Sequence, residues 1–160
     1  MTRINILPPS ELTDQHLIAE YREIFMVSGS LKRTLNSKKG YLESNVPKQY
    51  TLNKGHVYFF YNKGKYLHKR YNVIIREMKS RGFKPDKERK FPKEIFKNNN
   101  LYSNWIPNSN DLKIIRQRIS EKIAMKPYWY RITKKKWIEP FYFFWYYSHV
   151  IRIQKQLYKG

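Results

Sequence analysis

The chain has 160 residues, a length that suits one domain built on one core. Lys and Arg number 33 against 12 Asp and Glu, a formal net charge of +21, and self-repulsion of that size points to a polyanionic partner, nucleic acid before a membrane surface. No cysteine is present, which excludes disulfides and thiolate metal sites.

The N-terminus is the first chemical feature. Initiator Met is removed when the next residue is as small as Thr2, and removal leaves a free α-amine on Thr2. Such an amine has a pKa of ~7.7–8.0 against ~10.4 for a lysine side chain, so at pH 7.5 roughly a third of it is neutral. It is a ready nucleophile for a carbon centre such as a sugar aldehyde. Arg3 beside it is expected to lower that pKa further by like-charge repulsion. Residues 2–12 can stretch ~35 Å, and Pro8-Pro9 favours a stiff, extended turn, so the N-terminus can fold back along the next element.

That element is a helix from Asp14 into the thirties, capped by Thr13 or Asp14 and bent or broken at Ser28-Gly29-Ser30. Leu17, Tyr21, Ile24 and Phe25 form its buried stripe. His16, Glu20 and Glu23 fall on one face and Gln15, Arg22 and Met26 on a neighbouring one. Glu11 and Asp14 are accounted for by capping. Glu23 is not, and a carboxylate facing a polyanion costs affinity, which assigns it to a reaction. One histidine and two carboxylates on one stretch of helix are a poor metal set within so positive a chain, so no metal site and no cofactor are expected.

Residues 36–51 read as loop, with Lys32, Arg33, Lys38 and Lys39 near its start as phosphate contacts or a solvated basic face. Residues 55–61 (GHVYFFY) have the composition of a short strand, and His56 among them reads as a satisfied core histidine. Leu67, Tyr71, Ile74, Ile75 and Met78 recur at helical spacing up to a left-handed cap at Gly82, with Lys69, Arg70, Arg76 and Lys79 on the opposite face. Residues 83–107 form a long stretch of low periodicity, functional or partly helical, in which Lys87, Arg89 and Lys90 suggest an arm facing nucleic acid. A third helix starts near Asn108 or Asn110 and runs to about Met125, burying Leu112, Ile115, Ile119 and Ile123. Arg118 and Lys122 leave it together from another face. Tyr128-Trp129-Tyr130-Arg131 then alternates aromatic and basic groups, a pattern suited to stacking on exposed bases with charge on the backbone; the same aromatics are equally suited to closing the core.

Three groups of motifs carry a resemblance. TRIN at residues 2–5, SELxDQHL at 10–17 and AEYRE at 19–23 come first. GHVYFFY at 55–61, KRxxxII at 69–75 with RGF at 81–83, and EKIAxKPxWYR at 121–131 follow. Over most of residues 2–137 the chain resembles the phage-type pyrimidine-dimer DNA glycosylase/AP lyase family, the dimer-specific kind of endonuclease V. The resemblance implies a mainly α, compact single domain of about three main helices with long connecting loops, in which residues 55–61 are a connection in a helical core. It places that domain at residues 1–137, and leaves 138–160 as an aromatic and basic extension. The extension is expected to pack on the domain as a helix or strand, with a partner-binding or membrane-interface patch as the alternative.

The resemblance further implies an N-terminal nucleophile. The Thr2 amine attacks the anomeric carbon of the 5′ pyrimidine nucleotide of a cyclobutane dimer, Glu23 stabilises the cationic transition state and moves protons during β-elimination, and Arg22 completes the catalytic set. Arg3, Gln15, His16, Arg118, Lys122, Trp129, Tyr130 and Arg131 become the DNA-binding residues, and family members flip out an adenine opposite the lesion. Some relatives carry arginine where this chain has Met26. The expected partner is double-stranded DNA holding a pyrimidine dimer or an abasic site, met by a monomer without a metal, in the cytoplasm of a viral or bacterial setting and not secreted. Two alternatives share these residues: a non-catalytic basic nucleic-acid-binding protein, and a glycosylase/AP lyase of broader lesion range.

Overall fold

The computed structural model describes residues 3–133, with three long helices, two short ones and no strand among them. Thr2 with its amine, the boundary at 137 and the aromatic extension lie outside the described residues. The first long helix, α1 (Asp14–Leu35), starts at Thr13, whose hydroxyl oxygen accepts from the His16 backbone N–H at 3.2 Å. Lys32 and Arg33 occupy its last turn, where the helix dipole favours positive charge. The expected break at residues 28–30 does not occur. Ser28 Oγ–H donates to the Phe25 carbonyl at 2.8 Å and Ser30 Oγ pairs with the Tyr61 hydroxyl at 2.7 Å, so both serines are satisfied inside a continuous helix.

Residues 55–61 are helix and turn rather than strand, around the four-residue α2 (His56–Phe59). Phe59, Phe60 and Tyr61 join the core, and His56 is buried with them. The second long helix, α3 (Gly64–Ser80), buries Leu67, Tyr71, Ile74 and Met78 as its periodicity predicts, with Ile75 half-buried. It ends at Gly82, φ +86°, where the Phe83 N–H reaches back to the Met78 carbonyl at 2.9 Å. The 83–107 stretch is partly helical through α4 (Lys93–Asn98), which places Phe96 in the core. Gly64 is required there: a Cβ on it would lie 2.5 Å from Phe96 Cβ. The last long helix, α5 (Ser109–Met125), is opened by a reciprocal capping box between Asn108 and Asp111 and buries Ile115, Ile119 and Ile123, with Leu112 half-buried.

Three expectations about charged residues are corrected. Arg70 is not on the outer face of α3; it is buried, with Nε donating to Glu20 Oε1 at 2.7 Å and Nη2 to the Asn5 carbonyl at 2.6 Å. Its Nη1 donates to the Leu7 carbonyl. Glu20 accordingly leaves the His16–Glu23 face and is fully buried between α1 and α3. Burying this pair costs desolvation, but the guanidinium meets a carboxylate and two carbonyls at once, and so is matched on every side that leaves the core. Asp14 does not cap α1, and Glu11 does not cap it either. Asp14 accepts from Arg81 at 2.9 Å, and Glu11 faces Arg116 at 3.4 Å. No helix among the described residues is long and apolar enough to cross a membrane.

Candidate active site and nucleic-acid interface

Residues 3–7 form an irregular segment tied to α3 by the two Arg70 bonds at Asn5 and Leu7. At its start, the Arg3 backbone N–H donates to Glu23 Oε2 at 3.0 Å. The carboxylate expected to be chemical is thus held against the first described backbone amide of the chain. Its neighbour on the helix, Arg22, is exposed, and Met26 is exposed one turn further on.

The basic residues gather around this point although they lie far apart in sequence. Burial lowers the Arg3 guanidinium pKa and the Arg118 charge lowers it further, while Glu23 and Tyr130 pull the other way. Burial pushes the His16 pKa down to about 4, helped by the charges of Arg3 and Lys122. His16 is therefore a neutral imidazole at pH 7, and Arg3, Arg118 and Lys122 supply the positive charge. The His16 ring lies flat on Tyr130, centroids 4.8 Å apart and planes within 4°, with Nδ1 2.7 Å from the Thr13 hydroxyl. The structure brings His16 to Thr13 and Tyr130; Glu23 is met by Arg3.

Residues 129–133 are clasped across the start of α1. The Gln15 side-chain amide donates to the Trp129 carbonyl at 2.6 Å and accepts from the Arg131 N–H at 3.1 Å. The Asp14 N–H donates to the Arg131 carbonyl at 2.7 Å, and the Asp14 carboxylate accepts from the Thr133 N–H at 3.1 Å and from its hydroxyl at 2.5 Å. Burial opposes ionisation of Asp14, but the Thr133 and Arg81 bonds outweigh it and hold the carboxyl below the usual carboxylate range. The clasp leaves Trp129 58 % exposed with its ring edge-on to Tyr130, and leaves the Arg131 side chain 81 % exposed. Tyr130 closes against His16 and the core, as the core-closing reading expects, while Trp129 and Tyr128 face outward.

Arg89 is not part of an outward arm. Its guanidinium donates to the Tyr21 and Arg22 carbonyls at 2.9 and 3.0 Å and lies 3.8 Å over the Phe25 ring, fastening the 83–92 connection to α1 beside Glu23. Lys87 and Lys90 stay exposed. Sequence reasoning also missed Asp14 as the anchor of the clasp. The available signal was an acid at the first position of α1 in a chain with so few of them.

Residues 1–91 match the pyrimidine dimer DNA glycosylase family, more than half of the chain. The chain belongs to this family. In the glycosylase, the matched region holds Arg3, Gln15, His16, Arg22 and Glu23. Arg118, Lys122, Trp129, Tyr130 and Arg131 lie beyond it, and the clasp on Gln15 and Asp14 joins the latter part of that set to the former. Such an arrangement suits double-stranded DNA: cations to meet phosphates, an exposed indole beside them, and one carboxylate set back among the cations.

Proposed function

We propose that this glycosylase cuts the N-glycosidic bond of the 5′ pyrimidine of a cyclobutane dimer through the α-amine of Thr2, exposed by loss of Met1, and then nicks the strand as an AP lyase. The observation that carries the proposal is the 3.0 Å bond from the Arg3 N–H to Glu23, because the residue attached to that nitrogen is Thr2. The amine lone pair forms a bond to C1′ as the bond from C1′ to the pyrimidine N1 breaks, and the departing base takes up a proton. Glu23 offsets the positive charge that grows on the sugar in that transition state. The amine then loses a proton. As its lone pair forms the C=N bond, the C1′–O4′ bond breaks and O4′ takes up a proton, which leaves a ring-opened, protonated imine. Removal of a C2′ proton, with Glu23 as the base, then moves electrons onto the imine nitrogen and expels the 3′ phosphate. Water finally hydrolyses the imine and frees the amine.

Arg22 and Arg3 hold the flanking phosphates, Arg118 and Lys122 grip the backbone further along, and Trp129 with Arg131 holds the kinked strand. A dimer weakens stacking and makes the kink cheaper, which lets a salt-sensitive scan of phosphates stop at the lesion. The imine is the electron sink, so the reading needs no metal or cofactor, and it needs a single copy of the chain.

Borohydride trapping tests it. Protein lacking Met1 is expected to form a covalent adduct with dimer-containing and abasic duplexes, mapped by mass spectrometry to the peptide beginning at Thr2. An adduct with abasic DNA alone overturns dimer specificity in favour of a broader lyase. No adduct with either duplex leaves a DNA-binding protein without this chemistry.

A further inference from the structure

His56 lies in the core, 2 % exposed, at the start of α2. Its two ring nitrogens nevertheless meet two different kinds of partner. Nδ1 is 2.6 Å from the Thr51 carbonyl, which can only accept, so Nδ1 carries the hydrogen. Nε2 is 2.8 Å from the Ile4 backbone nitrogen, whose N–H can only donate, so Nε2 carries a lone pair. One protonation state satisfies both contacts: the neutral imidazole protonated on Nδ1. The other polar group of Ile4 is held from the same side, since the Tyr50 hydroxyl donates to the Ile4 carbonyl at 2.8 Å. Tyr50 and Phe60 pack edge-on against the imidazole, 5.6 and 5.3 Å between centroids, and fix its plane.

We propose that His56 is a positioning residue for the N-terminal nucleophile: its unprotonated Nε2 fixes the backbone at Ile4, two residues from Thr2, and thereby holds the Arg3 amide on Glu23. The inference rests on the amine chemistry proposed above and adds the device that aims it. A second proton on His56 would set an N–H against the Ile4 N–H and release the segment at the residue next to the Glu23 contact. The groups facing the ring act on that proton in both directions. Burial and the Arg3 charge disfavour it, while the Thr51 carbonyl and Glu20 favour it, and burial leads, so the pKa lies below the ordinary histidine value. Small misplacements of a reacting group can cost about 10²-fold in rate, so a contact this close to the amine should act on the chemical step and leave DNA affinity alone.

Two variants separate the ring's two contacts. His56→Gln places an acceptor where Nε2 stood, and His56→Asn keeps a donor for Thr51 without an acceptor for Ile4. Each is compared with wild type in the single-turnover rate of borohydride-trapped adduct on abasic duplex, in the dissociation constant for a duplex with a tetrahydrofuran abasic analogue, and in amide exchange at Ile4. The expected result for His56→Asn is a trapping rate lower by about 10²-fold, a dissociation constant close to that of wild type, and faster exchange at Ile4. His56→Gln should recover most of the rate and of the protection. Equal rates in His56→Asn and wild type, or equal losses in both variants, overturn the proposal. Nitrogen-15 NMR of the wild-type ring needs no variant, and a hydrogen on Nε2 also overturns it. Wild-type protein that forms no adduct sinks the amine reading instead, while the ring tautomer and Ile4 exchange still judge the contact.

Discussion

Gln15 joins the start of α1 to the segment after α5, donating to the Trp129 carbonyl at 2.6 Å and accepting from the Arg131 N–H at 3.1 Å. Both ends of its amide are engaged inside the chain, so its effect on DNA runs through where Trp129 and Arg131 stand. Gln15→Leu removes both bonds, each worth about 0.5–1.5 kcal/mol. We expect faster amide exchange at Arg131 and weaker duplex binding with an unchanged salt slope. A slope reduced as if a phosphate contact had gone would assign Gln15 a direct grip on DNA.

Arg118 gives the opposite signature. Its charge bears on Arg3, which places it at the cationic rim around Glu23. Arg118→Ala should weaken binding to any duplex sequence and lower the slope of log K against log salt by about 1. An unchanged slope with weakened binding would count against a phosphate contact.

The Glu20–Arg70 pair should dominate stability. Glu20→Ala leaves a buried guanidinium facing two carbonyls without its carboxylate, and breaking a buried pair in this way costs about 3–5 kcal/mol. Because Arg70 also holds the Asn5 and Leu7 carbonyls, the same change should loosen residues 3–7. Urea unfolding with amide exchange at Asn5 checks both, and a loss below about 1 kcal/mol would mean that water reaches the pair.

His16 should titrate with a midpoint near about 4 instead of the ordinary 6.5. The folded value lies below the unfolded one, so the folded chain binds fewer protons between them. The contribution of His16 to stability is therefore complete above pH 6.5 and declines as the pH falls from there towards about 4. Proton NMR of the ring gives the midpoint, and a value at 6.5 or above would contradict the burial of His16 under Tyr130.

Much of the fold is written as periodicity. The stripes Leu67–Tyr71–Ile74–Met78 and Ile115–Ile119–Ile123 mark α3 and α5, and Gly82 marks where α3 stops. The approach of the N-terminal segment to Glu23 was legible because residues 2–12 are long enough to fold back along α1, and the Arg3 N–H meets that carboxylate at 3.0 Å. Glu20 and Arg70 were not, because charged residues are ordinarily placed outside. A signal was present, since Glu20 sits among Leu17, Tyr21 and Ile24, and Arg70 among Leu67, Tyr71 and Ile74. The clasp was invisible for a different reason: Gln15 and Trp129 are 114 residues apart, and nothing local marks either as the other's partner.

The clasp also sets an order of events during synthesis. When the ribosome has delivered the first hundred residues, Arg3 and Glu23 are already on the nascent chain, but α5 and its cationic rim are not. At about 5–20 residues per second, an interval of seconds passes before Thr133 emerges and can reach Asp14. The contact between Arg3 and Glu23 can thus form while the residues that clasp the start of α1 are still to be made.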